Sequence, residues 1–343
     1  MRLSVDSKEL TKIFNNFIKT GKVMFNFKTD GNSLSIQLLS DFIMTREIDC
    51  TYLDGAKREY ELSAYVNSFC HVINEEEPVV LEFSDTMIRL TQGTFVYTLL
   101  KEHEARKDLI EVDETQYKSI LANRLKYLLS LTSKLEPIAK ELKIMPVDPI
   151  IMDGVYAVHY SNIALIEKID IEDMCIPYSV LKRVVPVLSA KSEYIRIPEK
   201  ELVVVRSGKS LFYLSTANYN LKGGSIAALK NKIEDTKKVG EFSISGISNK
   251  LSLCTSIMNK QHFYISVKGK QLEFAIQSND SSAAIKIGAP LDRPDFTMGL
   301  SAAKVNVINN LFKEKDVFDI CKAPNCLALV SENLTLLISG ILY

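Results

Sequence analysis

The stretch Tyr194-Ile-Arg-Ile-Pro-Glu-Lys-Glu-Leu-Val-Val-Val-Arg-Ser-Gly-Lys-Ser-Leu-Phe-Tyr-Leu214 decides the fold. Apolar and polar residues alternate along it, and Ser207-Gly208 is its second turn signal, so it reads as three short antiparallel strands. Residues 80–99 repeat the design with a turn at Gln92-Gly93, and residues 317–338 repeat it with turns at Pro324-Asn325 and Glu332-Asn333. The three meanders start 114 and 123 residues apart. That spacing is too long for a solenoid repeat of about 20–50 residues, which leaves tandem domains.

Each meander follows a helical pattern, at 63–73, 177–191 and 300–312; in the second, Leu181, Val184, Val185 and Leu188 fall at i, i+3, i+4 and i+7. Pro177 suits a first helical turn, whereas Pro186 predicts a kink or an early end. Further upstream each unit opens with another helix, at 7–22, 115–132 and 246–258. Hairpins then turn at Asp30-Gly31-Asn32, Asp153-Gly154 and Lys268-Gly269-Lys270. The expected architecture is α+β, with helix, strands, helix, strands copied three times over domains 1–107, 108–230 and 231–343. The charged, strand-poor stretches 101–108 and 221–239 set the boundaries; three unlike α+β domains are the alternative.

The 343 residues are 46% hydrophobic and 24% charged, proportions of an ordinary globular protein with two or three cores. The first seven residues lack the apolar centre of a signal peptide, and no run approaches the ~20 apolar residues of a membrane span, so a cytoplasmic location is expected. Six cysteines lie scattered without a Cys-x-x-Cys pair and read as reduced core residues. Cys321 and Cys326 are the nearest pair, with no further Cys or His beside them to complete a metal site. The four histidines are isolated, His159 reading as a strand residue, and neither a phosphate-binding glycine loop nor a nucleophile elbow is present. No catalysis, metal or cofactor is expected.

Lys and Arg number 42, as do Asp and Glu, but the charge is segregated. The six helical segments hold Lys8, Lys12, Lys19, Lys22, Lys118, Arg124, Lys126, Lys182, Arg183, Lys191, Lys250 and Lys304, against the single acid Glu9. Lys8, Lys12, Asn15 and Lys19 form a stripe opposite Leu10, Ile13, Phe14 and Phe17, and Lys118, Ala122 and Lys126 repeat the pattern. One such helix reads as a solvated face. Six that nearly exclude acids point to a shared surface facing a polyanion, where bases replace condensed counterions. No base-reading motif accompanies them, so the expected ligand is double-stranded DNA contacted without sequence preference.

Val203-Val-Val-Arg-Ser-Gly-Lys-Ser-Leu-Phe-Tyr-Leu-Ser-Thr-Ala217 is similar to the segment V-R-S-G-x-S-x-F-x-L-S-T of the bacterial-type DNA polymerase sliding clamp, the polymerase III β subunit. Cys175-Ile-Pro-Tyr-Ser-Val-Leu-Lys-Arg-Val-Val185 resembles that family's middle-domain strand and second helix, and Thr335-Leu-Leu-Ile-Ser-Gly-Ile-Leu-Tyr343 resembles its last strand. The resemblance covers essentially the whole chain. It implies a half-ring of three domains, helices on one face and sheets on the other, closing head to tail with a second copy into a homodimeric ring around DNA. By position, Phe95 and Tyr97 would meet Ile257 and Met258 at the closure, unless these are core residues. A hydrophobic pocket for short peptides of the polymerase and clamp loader would use Leu165, Leu337, Ser339 and Ile341, with burial in the core as the other reading. Two departures stand out. Where such clamps read T-D-G-H-R-L this chain has Tyr160-Ser-Asn-Ile-Ala-Leu165, and their Met-Pro-Met ending is Ser339-Gly340-Ile341. With the longer connection at 133–146, these departures suggest a phage or mobile-element version. A clamp-fold scaffold serving transcription or recruiting other proteins is the second functional reading.

Overall fold

Antiparallel pairing carries this architecture. The computed structural model describes residues 1–18, 21–104, 106–120, 122–216, 223–257, 262–268, 271–277, 282–288, 296–313, 317–323 and 326–339. In chain order the first elements are β1 (Arg2–Val5), α1 (Ser7–Phe17), β2 (Lys22–Thr29), β3 (Ser33–Leu39), β4 (Ile43–Asp54), β5 (Tyr60–Asn67), β6 (Val79–Phe83), β7 (Met87–Gln92) and β8 (Phe95–Leu100). Next come β9 (Lys118–Ser119), α2 (Ala122–Lys134), α3 (Glu136–Leu142), β10 (Ile150–Met152), β11 (Val155–Tyr160), β12 (Ile163–Lys168), α4 (Tyr178–Val184), β13 (Glu193–Ile197), β14 (Leu202–Ser207) and β15 (Ser210–Ser215). The rest are α5 (Gly223–Glu234), β16 (Lys237–Phe242), α6 (Ser248–Ile257), β17 (His262–Lys268), β18 (Gln271–Gln277), β19 (Ser282–Gly288), β20 (Phe296–Leu300), α7 (Ala302–Phe312), β21 (Phe318–Ala323), β22 (Cys326–Ser331) and β23 (Leu334–Ser339).

The three meanders form as their alternation predicts, as β6–β8, β13–β15 and β21–β23. Asp6 caps α1 by accepting the Lys8 N–H at 2.9 Å, and Phe14 packs edge-on against Phe25 with ring centres 5.6 Å apart. Pro186 ends the fourth helix: α4 stops at Val184 and the proline sits in a 3-10 turn, Val185–Val187.

Other expectations fail for tertiary reasons. The helix read at 63–73 is strand β5 followed by a 3-10 turn, because β5 pairs along its whole length with β2 and buries Tyr60, Leu62, Ala64 and Val66 on one period-two face. Lys22 opens β2 and Lys118 lies in β9, so neither belongs to a helix. The expected connections at 133–146 and 221–239 contain helices α3 and α5.

The chain gathers into two compact units, Met1–Lys126 with Ser179–Thr216, and Tyr127–Tyr178 with Ala217–Tyr343; both cut across the middle segment 108–230. The first unit holds a 12-stranded sheet whose main path runs β8-β7-β6-β1-β4-β15-β14-β13-β9. The second holds a 7-stranded sheet, β10-β11-β12-β23-β22-β21-β16, and a 4-stranded sheet, β19-β18-β17-β20. Each large sheet joins two meander systems at one strand pair. In the first unit β15 pairs β4, Phe212 opposite Met44 and Tyr213 opposite Ile43. In the second β12 pairs β23, Ala164 opposite Leu337 and Leu165 opposite Leu336.

Candidate nucleic-acid interface and docking face

On α1 the stripe Lys8, Lys12 and Asn15 is exposed while Leu10, Ile13, Phe14 and Phe17 are buried. Glu9, the one acid of this helix, does not offset them. Its carboxylate is held by Arg46 of β4, whose side chain is only 12% exposed and also donates to Ser210 Oγ at 3.1 Å. An acid already committed to a covered guanidinium adds little negative field outward. Beside it a cleft of about 300 Å³ is lined by Lys12, Asn16, Arg46, Ser189, Lys209 and Ser210. Arg46 and Lys209 escape a count confined to helices because they lie on or beside strands; Lys209 is paired with Asp49.

The remaining basic residues divide. Lys22, Lys118, Lys126, Lys182, Lys191 and Lys250 are exposed and Arg124 is half-buried; Lys19 lies outside the described residues. Arg183 is drawn to Asp41 and Ser40 and stacks on the Phe42 ring, which makes it a structural tie. Lys304 corrects the expectation most sharply. It is 7% exposed on α7, its Nζ donates to the Ser339 carbonyl at 3.1 Å, and burial lowers its pKa against the opposing pull of Glu141. Ala122 is likewise buried, so it does not continue an exposed stripe.

The docking residues do not share one wall. Because Leu337 stands opposite Ala164 and Leu165 opposite Leu336, Leu165 and Leu337 point to opposite faces of the sheet, and both are buried. The Leu165 face carries Tyr156, whose hydroxyl meets Thr132 of α2, and burial raises that phenol's pKa. The Leu337 face carries half-buried Ser339 and a cluster with Ala157, Ala164, Ile166, Cys326 and Ala328. Ile226 and Leu229 of α5 sit on that cluster, with Ile233 beside them. Ile341 lies outside the described residues. Helix α5, like α3, is missed by the sequence reading; its signal is Ile226, Leu229 and Ile233 at i, i+3 and i+7 above strands rich in alanine and cysteine.

Neither a family model nor a curated protein sequence matches this chain. Solved structures do. The polymerase III β of Caulobacter crescentus superposes with a TM-score of 0.79 at 11% identity, covering 99% of this chain and 100% of that one. The Pseudomonas aeruginosa DNA polymerase sliding clamp gives 0.78 at 9% identity, covering 99% of each chain. The Helicobacter pylori β clamp, solved bound to a DNA ligase peptide, gives 0.71 at 12% identity, covering 99% and 100%. The chain has the sliding-clamp fold. All three are bacterial proteins, which lends no support to a phage or mobile-element origin.

Within the clamp fold, β8 is a sheet edge that pairs only β7 among the described strands. Phe95 and Tyr97 on it are half-buried, their rings stacked at 6.4 Å, and Tyr97 Oη accepts the Asn67 N–H at 3.2 Å. Val96 and Leu100 on its other face are 46% and 68% exposed. The Ile257 side chain and Met258 lie outside what is described. The cysteines described, Cys50, Cys70, Cys175, Cys321 and Cys326, are free thiols; among the described residues no acidic, His or Cys cluster is placed to hold a metal, and no helix is long and apolar enough to cross a membrane.

Proposed function

We propose that this chain is a DNA sliding clamp: two copies close a ring around duplex DNA and tether a polymerase for processive synthesis, with no chemistry of their own. The observation that carries this reading is the α1 surface, where Lys8, Lys12 and Asn15 face solvent while Arg46 holds the only acid. Lys126, Lys182, Lys191 and Lys250, with Lys118 and Arg124, extend the basic set. Lysine and asparagine in these positions suit phosphate contact of a kind that lets a protein slide. Lys304 and Arg183 drop out of the contact set. Ring closure falls to the β8 edge, with Phe95 and Tyr97, and to β19, the far edge of the 4-stranded sheet. Polymerase and clamp loader dock through short hydrophobic peptides beside half-buried Ser339 at the end of β23, and the protein works in the cytoplasm without a cofactor.

Retention on nicked circular DNA that is lost when the circle is linearised is the expected result, because a closed ring leaves DNA only over an end. Equal retention on circles and linear fragments would mean simple electrostatic adhesion and end this reading. Sedimentation should show a dimer; a monomer that still holds circles would break the two-copy closure.

A further inference from the structure

Beside α1 the first unit carries a recess that a surface for sliding along duplex DNA does not require. The cleft of about 300 Å³ opens between the second half of α1, strand β4 and the β14–β15 hairpin, whose Ser207 and Ser210 stand opposite each other across a turn with Gly208 at φ +60°. Its floor is apolar: Phe17 and Phe212, with ring centres 6.4 Å apart, lie there with Ile13 and Met44. Half-buried Val187 lines it as well. Lysines that meet only a passing phosphate backbone need neither a recess nor an apolar floor, because that contact is made on an open surface.

The polar groups of the cleft divide into committed and uncommitted. Arg46 is held by Glu9 and donates to Ser210 Oγ at 3.1 Å, and Lys209 is paired with Asp49. Exposed Lys12 and half-buried Asn16 have no hydrogen-bond or ion-pair partner among the described residues. Ser210 is 6% exposed; its oxygen takes the Arg46 N–H, while its own O–H has no acceptor among the described residues. A buried hydroxyl proton without an acceptor carries a desolvation cost that a ligand oxygen in the cleft would remove. The two ion pairs cancel and leave Lys12, so the cleft has a single positive charge in excess. A singly charged phosphodiester matches it, whereas a nucleoside triphosphate, with several negative charges, does not.

We propose that this cleft holds one nucleotide of an unpaired DNA strand, its phosphodiester at Lys12 and the Ser210 hydroxyl and its base on the apolar floor, with Asn16 at the base edge. A duplex, whose bases stay stacked and paired, cannot enter a recess of this size. Asn16 offers both a donor and an acceptor, so the site takes any base. The assignment goes beyond the clamp reading and does not rest on ring closure: it marks a place where an unpaired strand is held still, whereas the exposed stripe of α1 lets a duplex slide.

Fluorescence anisotropy with a fluorescein-labelled thymidine octamer tests it on the full chain. Asn16→Phe fills the cleft without altering charge and should weaken octamer binding at least about 10-fold, and Ser210→Ala about 5-fold. Binding of a blunt duplex with the same number of phosphates should change less than about 2-fold. An octamer of abasic units should bind the native chain as weakly as the thymidine octamer binds Asn16→Phe. Equal losses for octamer and duplex, or equal binding of abasic and thymidine octamers, would make the cleft part of a general phosphate surface and overturn the proposal. Displacement of the octamer by thymidine 5′-monophosphate at equal nucleotide concentration would also overturn it, since the ligand would then be a free nucleotide. A photo-crosslink on the native chain needs no variant to fold: 4-thiothymidine at the centre of the octamer should join to α1 or to residues 187–189 or 207–212, and adducts confined to other segments would refute the placement. Retention on nicked circles, measured on the same proteins, separates the outcomes: its absence in the native chain sinks the clamp reading and leaves the octamer result standing.

Discussion

At the β4–β15 junction the covering segment is irregular and hydrogen bonded into the sheet; at β12–β23 it is a helix laid on by three aliphatic side chains. The underlying sheets are joined alike, each by one antiparallel strand pair between two meander systems. Beneath the first cover, an irregular segment that ends in the 3-10 turn Glu114–Gln116, lie Tyr213, Ile195 and Val204. Beneath the second lie Ala157, Ala164, Ala328 and Cys326 together with the larger Ile150, Val155, Ile166 and Leu337. What separates the two covers is the polar bonding of the first, where Gln37 holds the Lys107 backbone.

The largest expected effect tests the second unit away from its cover. Lys304→Glu would bury a carboxylate against the Ser339 carbonyl it now donates to and beside Glu141, at a cost of roughly 3–5 kcal/mol, seen as a lowered urea midpoint. If Lys304 faced DNA instead, the midpoint would stay put and only DNA retention would fall. The pH dependence sharpens this. Because burial lowers the Lys304 pKa from 10.5, its ammonium is penalised at neutral pH and native stability rises as pH climbs from the lowered value towards 10.5. Lys304→Met lacks that rise, so the native chain should gain stability relative to it as pH climbs from 7 towards 10.

Next in size is the anchor of the first cover. Gln37→Ala leaves the Lys107 N–H and carbonyl without their partner, costing about 1–3 kcal/mol. The loss should appear in the global transition, since segment and sheet are bonded as one. A loss confined to local exchange around 107–117 would mean that the two covers are held alike and would break the comparison. A smaller effect is expected from Lys230→Ala, which removes the ion pair of α5: about 0.5 kcal/mol or less, because the side chain is 35% exposed. Labelling of Cys326 should quicken about 2-fold while the urea midpoint stays constant.

How legible all this was follows from the length and regularity of each signal. The meanders could be read because period-two alternation runs through 20 or so residues and turn signals recur at matching offsets. The β5 strand shows the same alternation at Tyr60, Leu62, Ala64 and Val66, but a helical reading begun at Ser63 discards half of it. Helix α5 has three apolar anchors set among lysines, a signal too thin to separate from a charged connection. The face of Leu165 could not be read from the sequence, since in a pleated strand an offset of one reverses every side chain, and the register sets it opposite Leu336 rather than Leu337. Lys304 was misplaced because charge counted along a helix says nothing of neighbours: α7 buries Val305, Val307, Ile308 and Leu311 around it, with Ser339 supplying the carbonyl that makes burial tolerable.

The smallest effect on folding should come from Lys8 and Lys12, and it sets lysines of one helix against Lys304 of another. Both side chains are exposed on α1, and the Lys8 backbone N–H, not its ammonium, is what Asp6 accepts. Lys8→Gln with Lys12→Gln keeps the polar character of the stripe and leaves the Glu9–Arg46 pair untouched, so stability should stay within about 0.5 kcal/mol of the native chain. Retention on nicked circles should nevertheless weaken, and the slope of log affinity against log salt should fall by about one for each lysine that releases a counterion. Lys304→Gln should do the reverse, lowering the urea midpoint and leaving the salt slope unchanged. Glu9→Gln completes the set: it frees Arg46 to face outward, so retention should rise slightly while the α1–β4 tie loosens. A double lysine variant with native retention and native salt slope would remove α1 from the DNA surface, and the basic set would then have to be sought on the strands around Arg46 and Lys209.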